Sequence, residues 1–135
     1  MPRDARYRLS MGNAFQDRTQ AELKRGVLQM AVLALLRDAT YGYDLLRVLG
    51  DAGLATEEGT LYPVLRRLEQ ETLLSAEWDT SGSRPRKYYR TTDRGRAVLD
   101  ALVDDWSRVN DALSAVLGGH ANGDAGTEHG PPRPA

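Results

Sequence analysis

The sequence predicts a mainly α-helical fold with a small β-hairpin, which places the chain in the α+β class. Three observations predict it. Four segments carry apolar residues at helical spacing, and two short segments between residues 74 and 91 alternate in polarity, as strands do. The length of 135 residues, with 41% hydrophobic content, supports one compact domain and one appended element.

The first two helices have recognisable start signals. Thr19 opens a capping box of the Ser/Thr-x-x-Glu form, and the apolar residues after it keep helical spacing to about Arg37. Thr40 is expected to cap a second helix that runs from Tyr41 to about Leu49. The apolar positions of the two helices are Leu23, Val27, Met30, Ala31, Leu35, Leu36, Leu45, Leu46 and Leu49.

The third helix has one apolar face and one face that is free to touch a partner. The apolar face consists of Leu61, Val64, Leu65 and Leu68. The free face carries Gly59, Pro63, Arg66 and Gln70, flanked by Thr60, Tyr62 and Arg67. Because proline has no N–H to donate, Pro63 fits if the helix begins near Gly59, or if the helix kinks at Pro63. The late start is the prediction.

Two strands joined by a turn follow the third helix. They are expected at Leu74 to Asp79 and at Lys87 to Thr91, with Gly82 and Pro85 in the turn. Leu74, Ala76 and Trp78 share one face of the first strand. On the second strand the Tyr89 face is assigned to the core and Tyr88 to the outside. Residues 84–96 carry six cations and one anion, and the turn brings Arg84, Arg86 and Lys87 close together.

The order of helix, strand, basic turn and strand predicts a winged helix-turn-helix that binds double-stranded DNA. Arginines on a helix, or a run of cations, are by themselves more often a solvated surface, but here the two features adjoin. A winged helix used for protein contacts is the alternative. The residues expected to contact DNA are Tyr41, Thr60, Tyr62, Pro63, Arg66, Arg67, Arg84, Arg86, Lys87 and Tyr88.

The fourth helix, capped by Thr92 or Asp93, carries an uninterrupted heptad seam. Its members are spaced 3, 4, 3, 4 and 3 residues apart, which is typical of a helix that pairs with another helix. They are Leu99, Leu102, Trp106, Val109, Leu113 and Val116. Because a winged-helix domain has no second long helix to offer, the partner is expected to be another copy of the chain, which makes a homodimer. The alternative is that the seam folds back on its own domain, and its early part is expected to do so, because Ala97 and Leu99 lie close to the hairpin.

These patterns divide the chain into four parts. A flexible N-terminal extension is expected over residues 1–18, and the winged helix-turn-helix over 19–91. The dimerisation helix should occupy 92–117, and a disordered tail 118–135, because the tail is rich in Gly, Pro and polar residues.

Composition excludes several function classes. The chain has no cysteine, so disulfides, thiol chemistry and cysteine-ligated zinc are excluded. His120 and His129 lie in the tail and do not form a metal or catalytic pair, and no Ser/His/Asp arrangement is available. The sequence therefore predicts no enzyme, no cofactor and no metal. Without an apolar run long enough for a membrane span or a signal peptide, the protein is expected in the cytoplasm.

Four sequence blocks in a fixed order resemble those of a known family. The blocks are Leu23-Lys24-Arg25-Gly26-Val27-Leu28, Tyr41-Gly42-Tyr43-Asp44-Leu45, Gly59-Thr60-Leu61-Tyr62-Pro63 with Leu65-Arg66-Arg67-Leu68-Glu69, and Arg86-Lys87-Tyr88-Tyr89-Arg90 followed by Thr92-x-x-Gly95. They are similar to the signature blocks of PadR-family transcriptional regulators, over about residues 20–117. The resemblance implies a repressor that binds a pseudo-palindromic operator as a homodimer. At Thr91 family members commonly have an apolar residue, so the hydroxyl there must find a hydrogen bond or lie at the rim.

A shorter match concerns Trp106-Ser107-Arg108-Val109 on the last helix. It resembles the short branch of the family with a single C-terminal helix, including the LmrR-like multidrug sensors. In those proteins paired tryptophans from two protomers flank a flat ligand at the dimer interface. The resemblance implies a small planar aromatic ligand that contacts Trp106 and Asn110. Where those sequences can carry an acid, this chain has Asn110, which weakens any preference for cationic compounds. The alternative for Trp106 is a purely structural position in the seam.

Overall fold

The computed structural model describes the backbone of residues 3–121 and the side chains of residues 12–119. Four helices and three strands follow one another within that range, and the predicted fold class, mainly helical with a small antiparallel sheet, is confirmed. The elements are α1 (Arg3–Leu35), β1 (Thr40–Tyr41), α2 (Gly42–Asp51), α3 (Glu58–Gln70), β2 (Leu74–Asp79), β3 (Arg86–Thr91) and α4 (Asp93–Ala121). None of these helices is both long and apolar enough to cross a membrane.

Helix α1 begins at Arg3 and not at the predicted cap, Thr19. The capping box at Thr19 is a local signal, and it does not end a helix that already runs through it. Residues 12–23 are exposed along this stretch, and Leu23, the first apolar residue in the predicted helical spacing, is 68% exposed. Packing of α1 against the domain starts at Val27 and Leu28. The separation of residues 1–18 from the domain stays a prediction.

The small sheet has three antiparallel strands in the order β1-β3-β2, where the sequence predicts only a hairpin. The hairpin strands lie where the sequence predicts them, and their register places Leu74 opposite Thr91 and Ala76 opposite Tyr89. The additional strand pairs Thr40 with Tyr89 and Tyr41 with Tyr88. Thr40 is therefore a strand residue and does not cap α2, whose N-cap is Tyr41, without a side-chain hydrogen bond.

Helix α3 begins at Glu58, so Pro63 is its sixth residue and lies inside the helix. The Leu61 N–H already donates to the Glu57 carbonyl, so the positions without an intrahelical acceptor end before Pro63. The observed start is one residue from the predicted Gly59, but the expectation that such a start leaves Pro63 among the undonated positions is wrong. The carbonyl of Gly59 lacks the hydrogen bond that residue 63 normally donates.

The C-terminal end of α3 makes a Schellman turn whose left-handed residue is Thr72, with φ of 61°. The Leu73 N–H donates to the Leu68 carbonyl at 2.9 Å, and the Thr72 N–H donates to the Glu69 carbonyl at 3.0 Å. Helix α2 ends in the same way, but there the left-handed residue is Gly53, with φ of 87°. A β-branched residue is strained in this conformation, whereas glycine is not.

The core lies where α1, α2, α3 and the inner face of the sheet meet. Its fully buried side chains are Leu28, Val32, Leu33, Leu36, Leu45, Leu49, Leu61 and Leu65. Thr91 is buried with them, and its hydroxyl donates a hydrogen bond of 2.7 Å to the Leu33 carbonyl. The predicted requirement for a hydrogen bond at Thr91 is thus met inside the core.

Helix α4 is fixed to the domain at its first turn. Of the two predicted caps, Thr92 is the one used, because its Oγ1 accepts the Gly95 N–H at 3.0 Å and donates to the Thr72 carbonyl at 2.7 Å. A Cβ at Gly95 would lie 2.2 Å from the Leu73 carbonyl oxygen, so glycine is required for this close approach. At its other end α4 extends to Ala121, so residues 118–121, predicted to be disordered, are helical. The remainder of the predicted tail lies outside the described residues.

Candidate nucleic-acid interface

The outer face of α3 is exposed and carries four of the ten residues predicted to contact DNA. Thr60, Pro63, Arg66 and Arg67 are all exposed, and so is Gly59 beside them. The opposite face holds the helix in place, because Leu61, Val64, Leu65 and Leu68 are buried. The amphipathic pattern therefore presents two guanidinium groups to solvent from a fixed helix.

Tyr62 differs from its predicted neighbours on this face, because it is half-buried and packs toward α2. Its Cε1 is 3.3 Å from the point where a Cβ on Gly42 would lie, so the ring fills the space above the start of α2. Burial raises the pKa of the Tyr62 phenol, which keeps it neutral. The contact joins α3 to α2.

Arg86 and Lys87, predicted to act together in the turn, lie in β3 and point to opposite faces of the sheet. Arg86 is opposite Asp79 and Lys87 is opposite Trp78 in the ladder. Successive residues of a strand alternate between faces, so Arg86 shares the outer face with Tyr88, and Lys87 shares the inner face with Tyr89. Of the three predicted wing cations, only Arg84 lies in the loop between the strands.

Lys87 is turned toward the C-terminal half of α3. Its Nζ donates to Oε1 of Glu69 at 3.0 Å, and it also lies 5.4 Å from the centre of the Tyr89 ring and 5.8 Å from that of Trp78. The hydrogen bond to Glu69 raises the pKa of the Lys87 ammonium. Lys87 therefore joins the wing to α3.

Arg86 is held on the outer face by two tyrosines from the start of α2. Its guanidinium carbon lies 4.8 Å above the Tyr41 ring, and its Nη1 donates to the Tyr43 hydroxyl at 3.1 Å. The Tyr41 and Tyr43 rings are stacked, with centres 5.7 Å apart, and Tyr88 meets Tyr41 edge-on at the same distance. The hydrogen bond from Arg86 to Tyr43 raises the pKa of the guanidinium.

Asp79 anchors this cluster from the last position of β2. Its Oδ2 accepts the Tyr41 hydroxyl at 2.7 Å, and its Oδ1 accepts both the N–H and the hydroxyl of Ser81, at 2.9 and 2.6 Å. The hydrogen bonds from Ser81 and then from Tyr41 lower the pKa of the Asp79 carboxyl to about 2. The hydrogen bond between Tyr41 and Asp79 raises the pKa of the Tyr41 phenol. Asp79 is therefore charged, and Tyr41 protonated, at neutral pH.

The remaining two residues predicted to contact DNA, Tyr88 and Arg84, differ in how exposed they are. Tyr88 is half-buried, and its hydroxyl donates to Oε2 of Glu77 at 2.7 Å, which raises the pKa of the Tyr88 phenol. Arg84 is exposed in the loop between β2 and β3. It is the wing cation best placed to reach outward.

Three residues that shape this surface are not among the site residues that the sequence predicts: Tyr43, Glu69 and Asp79. Tyr43 and Glu69 belong to the sequence blocks that resemble the PadR family, but their partners are 43 and 18 residues away and leave no periodic signal. Asp79 has a local signal, because an aspartate two residues before a serine at a strand end is typical of an Asx turn.

A groove of about 620 Å³ runs between α1 and α4, next to the predicted ligand residue Trp106. Its lining includes the apolar side chains of Met30, Ala34 and Val103 and the charged side chains of Arg37, Asp100 and Asp104. Trp106 is 38% exposed and lines this groove. Asn110, the other predicted ligand residue, is half-buried and does not line it.

The predicted heptad seam on α4 divides into a covered and an uncovered half. Leu99 is 6% exposed and belongs to the core of its own domain, as expected of the early part of the seam, so a single chain offers little of it to a dimer interface. The heptad spacing gives the face of the helix and not its partner. Further along, Val109, Leu113 and Val116 are more than half exposed.

Comparison with known proteins identifies the family. Residues 32–101 match the model of the family described as "Transcriptional regulator PadR-like family". A transcriptional regulator from Mycobacterium tuberculosis is 34% identical over 102 residues, which span 75% of this chain and 92% of that protein. The crystal structure of a PadR family transcriptional regulator from Eggerthella lenta is 44% identical, with a TM-score of 0.73, over 81% of this chain and 96% of that one.

A PadR-like transcriptional regulator from Bacillus cereus is similar at 28% identity, with a TM-score of 0.60, over 71% of this chain and 96% of that one. The matched residues include all of α2, α3 and the sheet, so the relationship covers the surface described above. The chain belongs to the PadR-like family of transcriptional regulators.

Proposed function

We propose that the protein is a DNA-binding regulator that works as a homodimer and represses transcription by occupying a pseudo-palindromic operator. The observation that carries the proposal is the exposed face of α3, with Arg66 and Arg67, on the same domain as the wing that bears Arg84 and Arg86. A helix of this kind enters the major groove, while cations beside it neutralise phosphates.

The exposed residues of α3 and the wing form two groups: those suited to contact base edges and those suited to contact phosphates. Arg66 presents a planar fork of donors that matches the two acceptors of guanine in the major groove. Thr60 and Pro63 add small contacts on the same face of α3. Arg84 and Arg86 suit phosphates, because such contacts need positive charge and carry little sequence information.

The uncovered half of α4 supports the proposed homodimer. Val109, Leu113 and Val116 form an exposed apolar stripe at heptad spacing, and such a stripe is stabilised by a second helix of the same kind. A two-fold pairing would present two copies of α3, which matches a palindromic operator.

We also propose that a small planar aromatic ligand modulates operator binding, as in the LmrR-like branch that the sequence resembles. The groove beside Trp106 supports this, because its lining combines apolar side chains with the carboxylates of Asp100 and Asp104. In a dimer that places two copies of α4 together, the second copy would complete the site. Asn110 would contact the ligand only in such an assembly, since it lies outside the groove of a single chain.

A mobility-shift titration with the DNA upstream of the gene tests the proposed function. If the protein contacts six to ten phosphates, affinity should fall by about 10³- to 10⁵-fold between 50 and 200 mM salt. Arg108→Ala, which removes an exposed cation from α4, is the matched control and should bind like wild type. A winged helix used only for protein contacts would show no such salt dependence.

A further inference from the structure

We propose that Asp79 is a positioning residue for DNA binding, which fixes the wing loop to Tyr41 and, through Tyr41, holds the Arg86 guanidinium in place. The inference deepens the proposed function and rests on it. It assigns a role to a carboxylate that lies on the same outer face of the sheet as Arg86, a cation proposed to contact DNA.

The first step is that Asp79 joins two separate parts of the chain. Oδ1 accepts the N–H and the hydroxyl of Ser81, which folds the start of the wing loop onto the end of β2. Oδ2 accepts the Tyr41 hydroxyl, from a residue 38 positions earlier, at the start of α2. With both oxygens engaged, the carboxylate sets where the Tyr41 ring lies relative to the wing.

The second step is that the Tyr41 ring supports Arg86. The guanidinium lies 4.8 Å from the ring centre on one side, and the Tyr43 ring, whose hydroxyl accepts from Arg86, is stacked against Tyr41. Arg86 therefore contacts a platform that is itself tied to Asp79. A long side chain held in one orientation loses less conformational entropy when it binds a phosphate.

The third step concerns the negative charge of Asp79. A carboxylate beside phosphates repels them, so if charge alone mattered, removing Asp79 would strengthen DNA binding. A positioning role predicts the opposite result, because Arg86 and the wing loop would lose their support. The two possibilities thus differ in the direction of the effect.

Asp79→Ala measured on the operator, across a salt titration, tests the proposal. We expect binding about 5- to 10-fold weaker than wild type at fixed salt, with a salt slope shallower by about 1, as if the Arg86 contact were lost. Asp38→Ala, which removes an exposed carboxylate from the loop between α1 and β1, is the matched control and should not weaken binding. Binding by Asp79→Ala that equals or exceeds wild type would overturn the positioning role. A wild-type protein that binds no DNA would instead overturn the proposed function.

Tyr41→Phe guards against a simple folding defect, because it keeps the ring and removes only the hydroxyl. Its thermal unfolding midpoint should stay close to that of wild type, while its DNA binding weakens in the same direction as that of Asp79→Ala. In a double-mutant cycle the two changes should not add, since each breaks the same hydrogen bond. Additive effects, or a Tyr41→Phe protein with wild-type affinity and salt slope, would refute the proposal.

Discussion

The Nζ of Lys87 lies 3.0 Å from Oε1 of Glu69, so a wing cation is paired with a carboxylate on α3. The two side chains are about one-third exposed, at 32% and 36%, and the aromatic rings of Trp78 and Tyr89 flank the ammonium. To bind a phosphate, Lys87 would have to leave this environment. The negative charge of Glu69 therefore largely offsets the positive charge of Lys87 in the protein without DNA.

The first prediction follows from this pair. Arg86→Ala should lower the salt slope of DNA binding by about 1, whereas Lys87→Ala should leave it nearly unchanged. Glu69→Gln should increase affinity for any duplex, because it removes a negative charge and releases Lys87 to bind a phosphate. Salt titrations of the three variants check this. A Lys87→Ala slope reduced as much as that of Arg86→Ala would mean that Lys87 contacts phosphate directly.

The second prediction separates α3 from the wing. Arg66→Ala should cost about 1 to 3 kcal/mol on the operator and relax discrimination at one base position, because it removes a contact to a base edge. Arg84→Ala should weaken operator and unrelated DNA by the same factor, since phosphates carry no sequence information. Affinities on a set of singly substituted operators measure both effects. A uniform loss for Arg66→Ala would assign that residue to the phosphates.

The third prediction concerns the strained turn after α3. Thr72→Gly should stabilise the fold by about 0.5 to 1 kcal/mol, because relief of the left-handed strain outweighs the added entropy of the unfolded chain. Thr72→Ala is the control and should bring no comparable gain, since alanine keeps the Cβ that causes the strain. Chemical denaturation at one fixed protein concentration measures both. A Thr72→Gly protein less stable than wild type would show that the Thr72 side chain contributes more than its strain costs.

The sequence predicts the hairpin well, because its signals are local. Alternation from Leu74 to Asp79 and the Gly82 and Pro85 punctuation place both strands within one residue of their observed ends. Strand β1 has only two residues, too few to show any period, and it exists because Tyr41 pairs with Tyr88 across the sheet. The predicted start of α1 at Thr19 is wrong because a capping box does not end a helix that is already formed.

At the candidate interface, too, the sequence predicts features with a local signal and misses contacts between residues that are distant in the chain. Exposure of Arg66 and Arg67 follows from helical periodicity, which the sequence contains. The partners of Lys87 and Arg86 are Glu69 and Tyr43, and they meet only through the packing of the wing against α2 and α3. Leu99 fits the heptad equally well whether it packs on its own domain or on a second copy, so spacing alone did not reveal its burial.

The fourth prediction concerns the groove beside Trp106. A planar aromatic compound should quench Trp106 fluorescence and change operator affinity by about 5- to 150-fold, the range of a 1 to 3 kcal/mol coupling. Trp78 is 62% exposed and would add its own signal, so the titration uses a Trp78→Phe background. The same protein with Trp106→Ala is the control. Because this control has no tryptophan, its readout is operator affinity, and an effect of the compound on that affinity that persists without Trp106 would leave that residue only a structural role in α4.

Hydroxyl-radical footprinting on the operator tests the central proposal most directly, because it reports DNA binding and two-fold symmetry together. A dimer with one α3 from each protomer should protect two half-sites related by a pseudo-dyad, with centres about 34 Å apart or a multiple of that distance. Leu113→Asp, which places a charge on the exposed stripe of α4, should reduce the pattern to weak, single half-site protection. A single unsymmetrical half-site protected by the wild-type protein would contradict the dimeric operator-binding model.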